Sequence, residues 1–166
     1  DVTTGMADQL TQFKSHCPAV SYDGSWIAYS TLFQLMKIPA NGGISQQIVD
    51  GGGDIVIHQS WSFDDHRMVF TRDHAGNMDI WMVDFNTLEV TQLTFEPGID
   101  DMARWCPDNQ SILFVSDRAG ELDLYQMNTL TMETELFIDR PGNVLYPAYS
   151  HDGTYLAYIW DSAGVS

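Results

Sequence analysis

Three features of the sequence predict an all-β fold, a β-propeller built as a partial ring of about four four-stranded antiparallel blades. The first is recurrence: SYDGSWIAYS (21–30) returns as SFDDHRMVFT (62–71), CPDNQSILFV (106–115) and SHDGTYLAYI (150–159). From Ser21 to Ser62, Cys106 and Ser150 the steps are 41, 44 and 44 residues, a period that marks an array of one supersecondary unit. The second is turn chemistry that interrupts every apolar run at intervals of about ten residues. The third is that no long segment sustains apolar spacing at i, i+3, i+4 and i+7, which excludes a helical array.

Within each unit the first strand ends at Val20, Trp61, Trp105 or Tyr149. A tight turn follows, centred on Asp23-Gly24, Asp64-Asp65, Asp108-Asn109 or Asp152-Gly153. These are the residue types that tolerate positive φ in a short hairpin loop. The second strand holds Trp26-Ile27-Ala28-Tyr29, Arg67-Met68-Val69-Phe70, Ser111-Ile112-Leu113-Phe114 and Tyr155-Leu156-Ala157-Tyr158. It is apolar at nearly every position, so both of its faces are expected to be covered. A second hairpin carries Asp-x-Ala-Gly at 73–76, 117–120 and 161–164, and leads into a third strand, DIWMVD (79–84) or DLYQMN (123–128). The first unit shortens that hairpin and keeps FQLMKI (33–38). A fourth strand is placed at Leu10-Thr11, Ile48-Val49, Leu93-Thr94 and Leu136-Phe137. Trp61, Trp105 and Tyr149 are expected to be buried between adjacent blades.

With these residues in place the chain resembles the TolB-type propeller repeat, a bacterial relative of the WD repeat. That pattern has a Pro two residues before an aromatic, then Ser-Pro-Asp-Gly, a strand ending in Phe or Tyr, Ser-Asp-x-x-Gly, Asp-Ile-Tyr and a closing Leu-Thr. Pro18, Ser21, Asp23, Gly24 and Tyr29 fit it in the first unit, and Trp61, Ser62, Asp64, Phe70, Asp73, Gly76, Asp79, Ile80, Trp81, Leu93 and Thr94 in the second. Trp105, Pro107, Asp108, Phe114, Ser116, Asp117, Gly120, Asp123 and Tyr125 fit in the third, and Pro147, Tyr149, Ser150, Asp152, Gly153 and Tyr158 in the last. The matched residues are turn and inter-blade packing groups, so they report architecture, and a fold alone does not assign a function.

The chain is expected to be one domain, residues 1–166, with blade repeats at approximately 18–58, 59–102, 103–146, and 147–166 completed by an outer strand within 1–13. DVTTGMADQLT (1–11) aligns with DFNTLEVTQLT (84–94). The inventory is thus one outer strand, three blades and the inner two strands of a fourth. TolB-like propellers usually have six or more blades, so the resemblance implies part of a larger ring. Open sheet edges invite pairing with another chain, and self-association as a homo-oligomer is expected through residues 8–12 and 155–160. Closure as a four-unit ring within one chain is the competing arrangement.

Seven basic residues against twenty-three acidic ones give a net charge of −16. This argues against nucleic-acid and anionic-membrane partners, because phosphate binding needs clustered Lys and Arg. It admits cations, basic protein surfaces or a solvated acidic exterior. No apolar run is long enough to span a bilayer as a helix. Cys17 and Cys106 fall at non-equivalent repeat positions two blades apart, which disfavours a disulfide between them.

Propeller topology places the inter-blade loops on one face with the Asp-x-Ala-Gly hairpins, and the Ser-Asp turns on the other. On the first face His16, Cys17, His58, Asp100, Asp101 and Tyr146 start the innermost strands beside the axial channel, and binding sites commonly occupy such mouths. Two metal readings use this rim: His16, His58 and a carboxylate around a divalent ion, or Asp100-Asp101 with hairpin carboxylates around Ca²⁺. Neither a His-x-His spacing nor an Asp-x-Asp-x-Asp loop is present, and polar rim residues explain the same positions. For nucleophilic catalysis there is no Gly-x-Ser-x-Gly elbow, and Gly51-Gly52-Gly53 lacks the Lys and helix of a phosphate-binding loop. No catalytic residue and no obligate cofactor is expected. The expected function is a non-catalytic module presenting an acidic face to a protein or peptide partner. The resemblance implies a periplasmic or secreted location. It also admits two alternatives: the gating propeller of a serine peptidase, or a carbohydrate-active propeller with a channel metal.

Overall fold

The computed structural model describes residues 9–11 and 14–162, and in them every regular element is a β-strand. The first blade is β1 (His16–Val20), β2 (Trp26–Ser30), β3 (Gln34–Pro39) and β4 (Gln46–Asp50). The second is β5 (Ile55–Trp61), β6 (Arg67–His74), β7 (Asn77–Asp84) and β8 (Val90–Gln92). The third is β9 (Asp100–Trp105), β10 (Ser111–Ser116), β11 (Asp123–Asn128) and β12 (Thr134–Ile138). A final hairpin, β13 (Asn143–Tyr149) and β14 (Leu156–Asp161), is the inner half of a fourth. Each sheet is an antiparallel meander in chain order.

The four first strands end at the residues expected from the repeat, and the turns after them are alike. The amide of Gly24, Asp65, Asn109 or Gly153 donates to the carbonyl of Ser21, Ser62, Cys106 or Ser150 at 2.9–3.1 Å. Each of those four donor residues lies at positive φ, between 53° and 73°, which is the conformation Gly, Asn and Asp accept with least strain.

Alternation within the second strands explains their unbroken apolar character. In β6, Met68 and Phe70 pack toward the first blade with Ala28, Leu35 and Trp61, while Val69 packs toward the third with Trp105 and Phe114. In β10, Ile112 and Phe114 face the second blade, and Leu113 and Val115 face the hairpin β13–β14 with Val144 and Leu156. Both faces of these strands are therefore core, as in any sheet covered on two sides. Trp61 is 8% exposed and Trp105 1%. Tyr149 is only half-buried, against Cys106 and the third blade.

Two expectations are corrected. Leu93-Thr94 lie just beyond β8. Both amides turn to the Ile80 carbonyl, and the Leu93 side chain enters the core between blades two and three. Leu10-Thr11 are not in a strand: they border a cleft on the first blade with Tyr29, Gln34 and Met36. Residues 1–8, 12 and 13 of the expected outer strand and N-terminal edge, and residues 163–164 of the last hairpin, lie outside the described residues.

Candidate interaction cleft

Every innermost strand carries the same irregularity. Cys17, His58, Met102 and Tyr146 stand 41, 44 and 44 residues apart and all take positive φ, 50° to 56°. The pairing of β1, β5, β9 and β13 with its neighbour shifts register at that point. These are β-bulges, which bend a strand and re-aim side chains near channels and rims. A non-Gly residue there costs about 1 kcal/mol, so packing around the axis must hold each one in place.

Of the six rim residues singled out from the sequence, the fold joins two. His58 Nδ1 lies 2.7 Å from Asp101 Oδ1, which also accepts from the Thr71 hydroxyl and the Met102 amide, each at 2.6 Å. Burial alone would raise the Asp101 pKa; the hydrogen bonds and charge of His58, with Thr71, hold it below the ordinary carboxylate value. Asp100 turns elsewhere, to Arg118 Nη2 at 3.0 Å through both oxygens, and Arg118 in turn covers Phe114 and Tyr125. Cys17 and Tyr146 occupy bulges, with Tyr146 50% exposed, and His16 is exposed at the start of β1. Both cysteines are free thiols. Among the described residues, no three His, Cys, Asp or Glu side chains converge on one point. The hydroxyl in the His58 network bonds the carboxylate rather than the imidazole, so the trio has no nucleophile-to-base hydrogen bond.

A concave site lies further along the same strands, at the Ser-Asp turns, where the sequence reading placed no site. A cleft of about 490 Å³ opens there between β1, β5, β9 and β13. Tyr22, Phe63 and His151 meet at its mouth: Tyr22 stacks on His151 with centroids 4.4 Å apart and lies 5.3 Å from Phe63. Phe63 presents an edge to Tyr149 at 6.5 Å. These three residues follow the turn serines, at the position where the repeat pattern has Pro and the third blade keeps Pro107. Pro replaced by Tyr22, Phe63 and His151 at that one repeat position is the signal the sequence offers for them.

Arg104 and Gln59 form the polar part of the wall. Arg104 Nη1 donates to the carbonyls of Ala103 at 2.8 Å and His58 at 3.3 Å. Burial works against its charge, with Asp101 and then Cys17 offsetting part of that. Gln59 is buried and donates to the Cys17 carbonyl, and its Oε1 has no partner among the described residues. Around the mouth Asp23 and Asp152 are held below the ordinary carboxylate range. The Ser25 amide with the Ser21 and Ser25 hydroxyls lowers Asp23, and Ser150 with Thr154 brings Asp152 down to about 2. Asp65 accepts from the Tyr22 and Asp23 amides at 2.6 and 2.8 Å, tying the first two turns together.

The model of the TolB beta propeller domain matches residues 11–165. Among solved structures the chain is similar to TolB from Acinetobacter baumannii, at 25% identity and TM-score 0.82, covering 93% of this chain and 39% of that one. It is also similar to a putative TolB from Agrobacterium tumefaciens, at 20% identity and TM-score 0.81, over 92% and 57% of the two chains. A chain of a nidogen/laminin complex shares the fold at 7% identity and TM-score 0.72, over 88% and 56%. The present chain thus spans well under two thirds of the length of each. No curated protein sequence matches it.

Proposed function

The chain belongs to the TolB beta propeller family, and from that premise we propose that it is a non-catalytic interaction module whose axial cleft receives a segment of a protein or peptide partner. The observation that carries the reading is the convergence of Tyr22, Phe63 and His151 on one cleft. Aromatic side chains supply contact area at low entropic cost and anchor many interfaces. The Asp23, Asp64, Asp65, Asp108 and Asp152 turns give that mouth an acidic border, which suits a partner with basic flanks and disfavours polyanions. By resemblance to TolB, the compartment proposed is the periplasm.

Selecting binders from a displayed library of random peptides tests this. Selected peptides should lose most of their affinity when Tyr22 and Phe63 are both replaced by Ala, which removes the rings and keeps the Tyr22 amide that donates to Asp65. Peptides that bind equally well to that double variant would sink the reading.

Self-association is proposed as a second property, because the face of β14 turned away from the third blade exposes Ile159 (53%). Among the described residues, no strand pairs with the free edge of β14.

A further inference from the structure

We infer that Arg104 is a carboxylate-binding residue, and that the segment entering the cleft presents one carboxylate beside an aromatic or apolar side chain. The inference rests on the proposal that this cleft receives a peptide, and it specifies that peptide's chemistry.

The chain is poor in cations, and most of the others are committed. Arg67 pairs with Asp64 at 3.7 Å, Arg72 with Asp54 at 2.7 Å and Arg118 with Asp100 at 3.0 Å. Lys37 lies over Trp26 and Phe85, and Arg140 over Trp160. Arg104 lines the axial cleft and, among the described residues, forms no ion pair. The nearby carboxylate of Asp101 is already engaged by His58, Thr71 and the Met102 amide. Arg104 uses only Nη1, toward two carbonyls, and Nε and Nη2 have no acceptor among the described residues.

A guanidinium carries five donors in a planar fork that matches a carboxylate. Holding one half-buried with Asp101 nearby but no carboxylate bonded to it is costly, and an incoming carboxylate would offset that cost with charge-assisted hydrogen bonds. Gln59 beside it carries a buried amide oxygen without a donor among the described residues. The aromatic mouth fits an apolar neighbour of the carboxylate. The acidic border limits the ligand to few negative charges, since like charges facing each other are disfavoured.

N-acetyl-L-phenylalanine and N-acetyl-L-phenylalaninamide differ at that one charge and make a direct probe pair. Trp61 and Trp105 line the cleft, so tryptophan fluorescence of the full chain, excited beyond phenylalanine absorption, reads occupancy. Salt of about 0.15 M confines the field of the acidic border to about 8 Å. The carboxylate should bind about ten-fold more tightly than the amide, as a charge-assisted pair requires. That preference should vanish in Arg104→Met and persist in part in Arg104→Lys. Equal affinities in the unaltered chain, no binding of either probe, or a preference that survives Arg104→Met would each overturn the inference. The displayed peptides separate the two proposals. A peptide that needs Tyr22 and Phe63 but tolerates Glu→Gln and Asp→Asn keeps the interaction reading and removes this one. Loss of all cleft binding removes both.

Discussion

β10 and β14 occupy the same position in successive repeats and carry similar residues, SILFV in one and YLAYI in the other. All six residues of β10 are buried, whereas four of the six in β14 are exposed. The difference does not lie in the strands. Leu113 and Val115 are covered because β13–β14 packs on them, while their counterparts Ala157 and Ile159 face away from every described blade. Burial in this molecule is conferred by the next repeat, as in other arrays where each unit contacts only its neighbours.

The largest effect that could break this comparison is at Phe114 and its counterpart Tyr158. Phe114 is fully buried between blades two and three, so Phe114→Ala should cost about 3–5 kcal/mol. Tyr158 packs on one side only, and Tyr158→Ala should cost less than half as much. Urea unfolding of the two variants measures both. Equal losses would mean that an unseen partner covers β14.

The second effect concerns the junctions themselves. Between blades two and three stands the His58–Asp101 pair, where the repeat steps place Cys17 and Ile57 at the preceding junction and Met102 and Leu145 at the following one. Replacing His58 by Gln removes the largest of the contacts that hold the buried Asp101 below the usual carboxylate range, leaving Thr71 and the Met102 amide against burial, so its pKa rises. A depressed folded pKa contributes stability that is present above the unfolded value of about 3.9 and is lost as pH falls through the folded one. His58→Gln should therefore cost about 1–3 kcal/mol at neutral pH and move the onset of acid unfolding upward. Circular dichroism against pH reads this. A Met102→Leu variant, at the apolar junction, should leave the acid limb where it is.

The sequence made the blades legible and the cleft illegible, for one physical reason. Strand ends and turns are local: Asp65 and Asn109 announce positive φ through their own side chains, and Trp61 and Trp105 mark strand ends by position in the repeat. The cleft is assembled from residues about forty positions apart. Tyr22, Phe63 and His151 are unremarkable singly and form a site only when three blades converge. The rim residues lie on innermost strands, with His58 and Tyr146 in mid-strand, but strand placement does not say which way a bulged side chain turns. Asp100 and Asp101 are adjacent in sequence and go to Arg118 and His58 respectively. Arg104 is a cation on an inner strand of an acidic chain, yet its lack of a bonded carboxylate is a property of the folded chain alone.

A smaller change should sharpen the contrast between the covered and uncovered ends. Ile159→Lys places a charge on the exposed face of β14, where surface substitutions usually shift stability by no more than about 0.5 kcal/mol. The unaltered chain should self-associate at micromolar concentration and the variant should remain monomeric, as light scattering would report. An unaltered chain that stays monomeric at that concentration removes β14 as a contact surface.

The smallest expected effect concerns Cys106, the one turn position where the repeat departs from Ser. In the other three units the serine hydroxyl donates to the turn aspartate, at 2.7 Å for Asp23, 2.5 Å for Asp64 and 2.6 Å for Asp152. The same hydroxyl accepts the amide of Trp26, Arg67 or Tyr155 at 2.9 Å. In the third unit Asp108 takes over the second role, accepting the Ser111 amide at 2.9 Å, while the Cys106 sulfur accepts from the Tyr149 hydroxyl at 3.7 Å. Burial raises the Cys106 thiol to about 11, so it should resist alkylation at neutral pH. Cys106→Ser would restore the repeated hydrogen bond to Asp108 at the expense of an apolar contact in the core between blades three and four. A net hydrogen bond is worth about 0.5–1.5 kcal/mol, and the lost packing returns part of it, so the variant should gain about 0.5 kcal/mol. The Asp108 carboxylate, already below its usual range because the Gln110 and Ser111 amides outweigh its burial, should titrate lower still by NMR. A loss of stability with no change at Asp108 would show that the thiol is kept for its packing against Tyr149, and that the third turn differs from its siblings because the blade beyond it is covered.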